Sequence, residues 1–267
     1  VSEISLGAWV TFGAQIEEQV AADMIHAAYE QGVNFFDNAD MYAAGQAEVV
    51  MGRAIKDLPR EALVISSKVF WPTMPGPNGR GLSRKHIRES IDASLRRLET
   101  DYVDLYFCHR FDPDTPVEEV VRSMDDLIHQ GKILYWGTSE WEAAQIAMAI
   151  GVARQYGLNP PVVEQPQYHL FHRHRVEAEL DELCKEYGLG LVTYSPLYNG
   201  ILSGKYNAGI PAGSRAALES MGWIRDKITE DTLDAVRQLT ALAGDLDLTT
   251  AQLAIAWILR RKEVSSV

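Results

Sequence analysis

Residues Val33 to Tyr42 read VNFFDNADMY, and the way this stretch breaks decides the fold. Val33 to Phe36 form a short apolar, β-prone run entered through Gly32, the pattern of a buried strand. A carboxylate, Asp37, follows at once, and a phenol, Tyr42, stands a few residues on. A strand tip that gives way to acid and phenol marks a site rather than a core.

Outward from that stretch, the chain alternates strand and helix. Ile4 to Val10 is an expected strand, followed by an amphipathic helix over Ile16 to Gln31 with Val20, Met24 and Ala28 on one stripe. A helix is expected around Val49 to Ile55 and a strand over Leu63 to Val69. After Ser83 the apolar residues Ile87, Ile91, Leu95 and Leu98 keep a helical period. Tyr102 to His109 reads as the fourth strand. Thr115-Pro116-Val117-Glu118 has the form of a capping box with proline at the first helical position, opening a helix that stops at Gly131. Strands follow at Ile133 to Gly137, Val162 to Glu164 and Leu189 to Thr193, separated by helices over Trp141 to Tyr156 and Val176 to Tyr187. Pro196 to Lys227 is rich in Gly, Pro and Ser and too long for a simple connection, so it is expected to be a functional loop. Thr249 to Gln252 caps a helix ending near Arg260, and Val264 to Val267 begins an eighth strand.

Eight strands alternating with helices predict one (β/α)8 barrel domain over residues 1–267. The start at Val1 and the stop inside the eighth strand make both termini incomplete in this reading, and closure is expected to need further chain. An open doubly wound sheet is the alternative, but no G-x-G-x-x-G follows the first strand. Polar groups end successive strands: Asp37, Lys68, His109, Ser139, Gln165 and Ser195. Barrel enzymes assemble their sites at that rim.

Composition narrows the class. With 46% hydrophobic and 23% charged residues, the chain suits a globular enzyme. A formal charge of −12 argues against nucleic acid or an anionic membrane as the main partner. The two cysteines, Cys108 and Cys184, sit in apolar surroundings and read as reduced and buried, which fits the cytoplasm. No run approaches a membrane span and no signal peptide opens the chain.

Asp37, Tyr42, Lys68 and His109, with GTSEW (137–141), EQPQYH (164–169) and YSPL (194–197), closely resemble the aldo-keto reductases. GAWVTFG near the start, GLSRKHI (81–87), SGKY (203–206) and QLAIAW (252–257) are similar to the branch that holds voltage-gated potassium-channel β subunits and their bacterial and plant relatives. The resemblance implies a TIM barrel and an NADP(H)-dependent reductase of aldehydes and ketones. Tyr42 would donate the proton. A free phenol has a pKa of about 10, and Lys68 is expected to lower it, with Asp37 keeping Lys68 charged. His109 would bond the substrate oxygen and assist proton transfer.

By the same resemblance, Ser139 and Gln165 would hold the nicotinamide carboxamide, with Tyr194 stacked under the ring and Asp37 beside it. Ser195, Pro196, Leu197, Tyr198 and Asn199, with Lys205 and Arg215, would line the pyrophosphate, and Trp9 and Gln15 would border the cofactor. Glu140 stands where the superfamily often has Asn and animal channel β subunits have Arg. His109 replaces the Asn of those subunits, which favours a working reductase. The part that holds the adenine and 2′-phosphate is expected beyond Val267, so NADP rather than NAD rests on the family. Phe70, Trp71, Phe111 and Tyr198 suggest an aromatic mouth. A homo-oligomer, tetrameric or larger, is a further expectation.

Each residue also has a plainer reading. Asp37 and Lys68 could be an ordinary ion pair, Tyr42 a half-buried aromatic, and His109 or Gln165 a satisfied polar group between strands. Ser139 with Glu142 could be a capping box, and Lys205 and Arg215 solvated charges. Two rival functions stay open: a Schiff-base aldolase using Lys68, and a nucleotide-binding regulatory subunit, with little turnover, under a channel.

Overall fold

The computed structural model describes residues 1–267. Eight parallel strands lie in chain order: β1 (Ser5–Gly7), β2 (Phe35–Asp37), β3 (Val64–Val69), β4 (Val103–Cys108), β5 (Ile133–Ser139), β6 (Val163–Gln165), β7 (Gly190–Val192) and β8 (Val264–Ser266). The helices are α1 (Glu18–Glu30), α2 (Gln46–Ala54), α3 (Arg84–Leu98), α4 (Val117–His129), α5 (Ala143–Tyr156), α6 (Asp181–Tyr187), α7 (Glu230–Asp245) and α8 (Thr250–Leu259). The (β/α)8 barrel stands as expected. Two backbone hydrogen bonds bring its last strand to its first: Ser5 N donates to Val267 O at 2.8 Å and Val267 N to Glu3 O at 2.9 Å. No single helix is long and apolar enough to cross a membrane.

The strands put alternate residues inside the barrel. Phe35, Leu105, Phe107, Val163 and Val192 form a buried cluster there. Outward-facing Phe36, Ile65, Tyr106, Cys108 and Leu191 belong to the larger core against the helices. Two residues beyond the inner cluster on the same strands come Asp37, His109, Gln165 and Tyr194, so one parity carries both the barrel filling and the site.

Several local expectations change. On α1 the buried stripe is Ala21 and Ile25, while Val20 and Met24 are exposed. Thr115 forms no capping box with Glu118: the cap is Pro116, and the Thr115 hydroxyl donates to Asp112 Oδ2 at 2.8 Å. Thr115 stands one position before the cap, with its hydroxyl turned to the acidic turn residue. Helix α7 has no counterpart in the reading above, although Thr229 caps it by accepting from Thr232 N, and Leu233, Val236 and Ala243 are buried. Its apolar face covers the long loop instead of the barrel. The box at Thr249 and Gln252 does form.

Gly137 shows how tightly the barrel is filled. A Cβ there would lie 2.4 Å from both Val163 Cγ1 and the Val163 carbonyl, and 3.1 Å from the Phe107 ring. Gly137→Ala is therefore expected to destabilise the fold by about 1–3 kcal/mol through overpacking. Gly151→Ala, in α5 with nothing within 4 Å of the added carbon, should be neutral or stabilising by up to about 1 kcal/mol. Urea denaturation midpoints check the pair; equal midpoints for the two variants would refute the packing argument.

Candidate active site

Lys68 ends the inward row of β3 and has no solvent exposure. All three ammonium protons are engaged: Nζ donates to Asp37 Oδ2 at 2.6 Å, to the Asn38 carbonyl at 2.6 Å and to Tyr42 Oη at 3.2 Å. Asp37 is held from its other oxygen, which accepts from Ser66 Oγ at 2.7 Å and Gln165 Nε2 at 3.1 Å. Ser139 Oγ donates to the Gln165 carbonyl at 3.0 Å. One connected set of hydrogen bonds therefore joins β2, β3, β5 and β6 at the C-terminal rim. Ser139 lies inside β5 and caps nothing; the capping box before α5 pairs Glu142 with Gln145.

Tyr42 follows β2 in a short 3-10 turn and is 8% exposed. Its ring lies edge-on to His109, with centroids 5.9 Å apart. Burial raises the Tyr42 pKa above its ordinary value, and the Lys68 charge offsets this only in part because Asp37 opposes it. The expected lowering by Lys68 is thus reversed in the free protein, and the phenol keeps its proton. For Lys68, burial acts against the charge, but Asp37 and Tyr42 outweigh it and the pKa rises. Burial first, then the charges of Lys68 and Arg110, push His109 down to about 2. The imidazole is therefore neutral and has no imidazolium proton to supply.

Above these groups opens a cavity of about 770 Å³. Asp37, Tyr42 and His109 line one end with Ser139, Gln165, Tyr194 and Trp71; Ser195, Pro196, Leu197, Asn199, Lys205 and Arg215 line the other, and Trp9 borders it. Lys68 lies beneath the lining. Three expected residues are elsewhere. Gln15 is exposed outside the cavity. Tyr198 turns away and stacks on His169, with centroids 4.4 Å apart. The Glu140 carboxylate accepts from Gln167 N at 2.7 Å and pairs with Arg175 at 3.6 Å. Of the proposed aromatic mouth only Trp71 faces the cavity; Phe111 packs edge-on against Trp141 at 4.9 Å.

The structure adds residues the sequence reading passed over. Arg110, directly after His109, lines the cavity; a charge beyond a barrel strand's C-terminal end was the available signal. Thr193 also lines it, and its hydroxyl is buried without a partner, as is His109 Nδ1. The Asn38 contribution is a backbone carbonyl, invisible to residue type. Behind the rim, buried Glu48 accepts from Ser67 Oγ at 2.6 Å and Arg97 Nε at 2.7 Å. Buried Asp40, two residues before Tyr42, accepts from Ser90 Oγ at 2.7 Å.

The Aldo/keto reductase family model matches residues 3–267 of the chain. A probable voltage-gated potassium channel subunit beta of Oryza sativa subsp. japonica is 51% identical over 271 residues, spanning 100% of this chain and 82% of that protein. A protein of the same description from Arabidopsis thaliana gives the same identity and coverage.

Asp40 gives the site a pH signature. Burial, partly offset by Ser90, pushes its carboxyl up to about 7 from an ordinary 3.8. Between those values the unfolded chain has lost a proton that the folded chain keeps, so this group's contribution to stability falls as pH rises. Asp40→Asn removes the titration. Its stability relative to the parent should improve from pH 4 to about pH 7 and level off above. Chemical denaturation across that range checks it, and a difference independent of pH would show that Asp40 ionises normally.

Proposed function

The chain belongs to the aldo/keto reductase family, and we propose that it is a cytoplasmic, NADPH-dependent reductase of aldehydes and ketones with Tyr42 as the proton donor. The observation that carries this reading is the 3.2 Å contact from Lys68 Nζ to Tyr42 Oη. An ammonium only donates, so the phenol oxygen accepts here and its own proton is free to point into the cavity. Burial keeps that proton in place until a carbonyl oxygen arrives. As it leaves, negative charge grows on Oη beside a fixed positive charge. The stabilisation is therefore larger in the transition state than in the ground state. Asp37 holds the ammonium charged and aimed. Neutral His109 is placed to hold the carbonyl oxygen by hydrogen bond.

The cavity suits an elongated dinucleotide. Its unpartnered Thr193 hydroxyl and the unpaired Lys205 and Arg215 offer polar and cationic groups. Ser139 and Gln165 would hold the carboxamide, Tyr194 the ring face, and Lys205 and Arg215 the phosphates. The nicotinamide, when bound, supplies the hydride. The 2′-phosphate form is favoured by the family resemblance.

The Schiff-base alternative has less support, because its nucleophile must be a neutral amine. Lys68 is charged, fully buried and committed to three acceptors. The regulatory alternative is favoured by the channel-subunit descriptions of the relatives. His109 separates it from the reductase reading.

NADPH oxidation against a panel of aldehydes, ketones and sugar phosphates tests the proposal. Tyr42→Phe should lower carbonyl reduction by about 10²–10⁴-fold with NADPH affinity nearly unchanged. Activity within a few-fold of the parent would remove Tyr42 from the role of acid.

His109→Asn removes the imidazole and leaves a donor on a shorter side chain. Hydride transfer in a single turnover should slow by about 10-fold or more, on the order of one hydrogen bond to the reacting oxygen that is no longer aimed, while NADPH binding persists. An unchanged single-turnover rate would sink the function assigned to His109.

A further inference from the structure

The cavity is electropositive in a protein of formal charge −12. Asp37 is the only acidic side chain on its wall, and Lys68 neutralises it. Three cations line it: Lys205 and Arg215 at the loop end, and Arg110 at the end with Tyr42 and His109. None of the three is in an ion pair with the protein. The first two match the phosphates of a dinucleotide, but Arg110 stands apart from them. Its Nη1 donates to the His109 carbonyl and, at 3.4 Å, to Ser139 Oγ. Those contacts fix the guanidinium beside the reacting groups and leave Nε and Nη2 without partners in the protein. Trp71 backs it, with the guanidinium carbon 5.7 Å from the ring centroid, and Trp71 in turn lies 6.4 Å from the His109 ring.

A half-buried guanidinium has a planar fork of donors that fits carboxylate and phosphate oxygens. Leaving one unpaired next to a carbonyl-binding site disfavours cationic ligands and favours anionic ones. We infer that Arg110 is a specificity-determining residue, and that the substrates are carbonyl compounds bearing a carboxylate or phosphate, whose anionic group Arg110 binds while Tyr42 and His109 meet the carbonyl. This rests on the reductase reading above and sharpens its substrate class. It also explains why Ser139, rather than a carboxylate, receives the Nη1 proton: an acidic partner would consume the charge.

Matched pairs of probes test it. With NADPH, 4-carboxybenzaldehyde is compared with 4-carbamoylbenzaldehyde, and glycolaldehyde phosphate with glycolaldehyde, so that the first pair reads carboxylate and the second phosphate. A charge-assisted bidentate contact predicts that kcat/KM favours the anionic member of at least one pair by about 10–100-fold. In Arg110→Gln that ratio should collapse toward one, and in Arg110→Lys, which keeps the charge without the fork, it should fall only part of the way. A ratio near one in the parent for both pairs, or a ratio that Arg110→Gln leaves intact, overturns the inference while the reductase reading stands. Calorimetric binding of 4-(hydroxymethyl)benzoate against 4-(hydroxymethyl)benzamide to the NADP⁺-loaded protein supplies a readout independent of turnover. Tighter binding of the benzoate in the parent but not in Arg110→Gln supports the assignment, and equal binding of the two overturns it. If no aldehyde is reduced, the reductase reading fails, and the calorimetry still decides Arg110.

Discussion

A buried ammonium is the constraint on which this site depends. Taking an unpaired charge out of water costs several kcal/mol even after relaxation. Lys68 is fully enclosed, and it is tolerated because its three protons meet Asp37, the Asn38 carbonyl and Tyr42. Two of these acceptors come from the end of β2 and the residue just after it, and the third from the turn that follows. The pairing Asp37↔Ser66, two residues before Lys68, sets the distance between the strands at that level. A slip of one residue would turn Lys68 into the helix layer, where it would meet apolar side chains. The ion pair therefore contributes less as a source of stability than as a demand on register, and the tyrosine is placed as a consequence.

The same parity rule organises the rest of the rim. Inside the barrel, aromatic and branched residues fill the volume one layer down, and the next inward residue on each strand meets the cavity. Asp37 follows Phe35, His109 follows Phe107, Gln165 follows Val163 and Tyr194 follows Val192. Chemistry and packing thus alternate with the period of the strand rather than competing for positions. Gly137 marks the place where this layer has no room left, directly below Ser139.

Much of this is legible in the sequence. The alternation of strands and helices, the acid and phenol after Phe36, and the lysine and histidine at later strand ends all carry periodic signals that local sequence preserves. What escaped had no such signal or was overridden by a competitor. Asn38 acts through its backbone. Thr115 has the residue type of a helix cap, but Pro116 takes the cap position and the Thr115 hydroxyl donates to Asp112. Val20 and Met24 have the right spacing for a buried stripe, yet Ala21 and Ile25 have it too, and spacing alone does not choose between the two faces. The tuning of Tyr42 was read from Lys68 alone; burial and the Asp37 charge, both tertiary facts, reverse its sign. Arg110 was legible in type but not in its lack of an acidic partner.

The loop after β7 shows how strain and packing are balanced at the far end of the cavity. Ser195, Tyr198 and Asn199 adopt positive φ, and Gly200 follows at +96°. Left-handed non-glycine residues cost of order 1–3 kcal/mol each and persist only where surroundings over-determine them. Here a separate small core supplies that determination: Ile201, Leu202, Tyr206, Ala216 and Ile224 pack on Leu233 and Val236 of α7 and Ala254 of α8. Gly200 itself is needed for its φ of +96°, which a residue with a Cβ adopts only under strain. Ser195, Asn199 and Gly200 of this left-handed run line the cavity, as do Lys205 and Arg215, which follow in the loop that the small core packs. Helix α7, which covers no part of the barrel interior, thereby holds the cationic end of the site against a cavity whose other end is fixed by the strands. Helix α8 ties this end to the barrel, with Ala254 in the small core and Ile258 in the large one, so the cationic wall is held in the same frame that fixes Lys68.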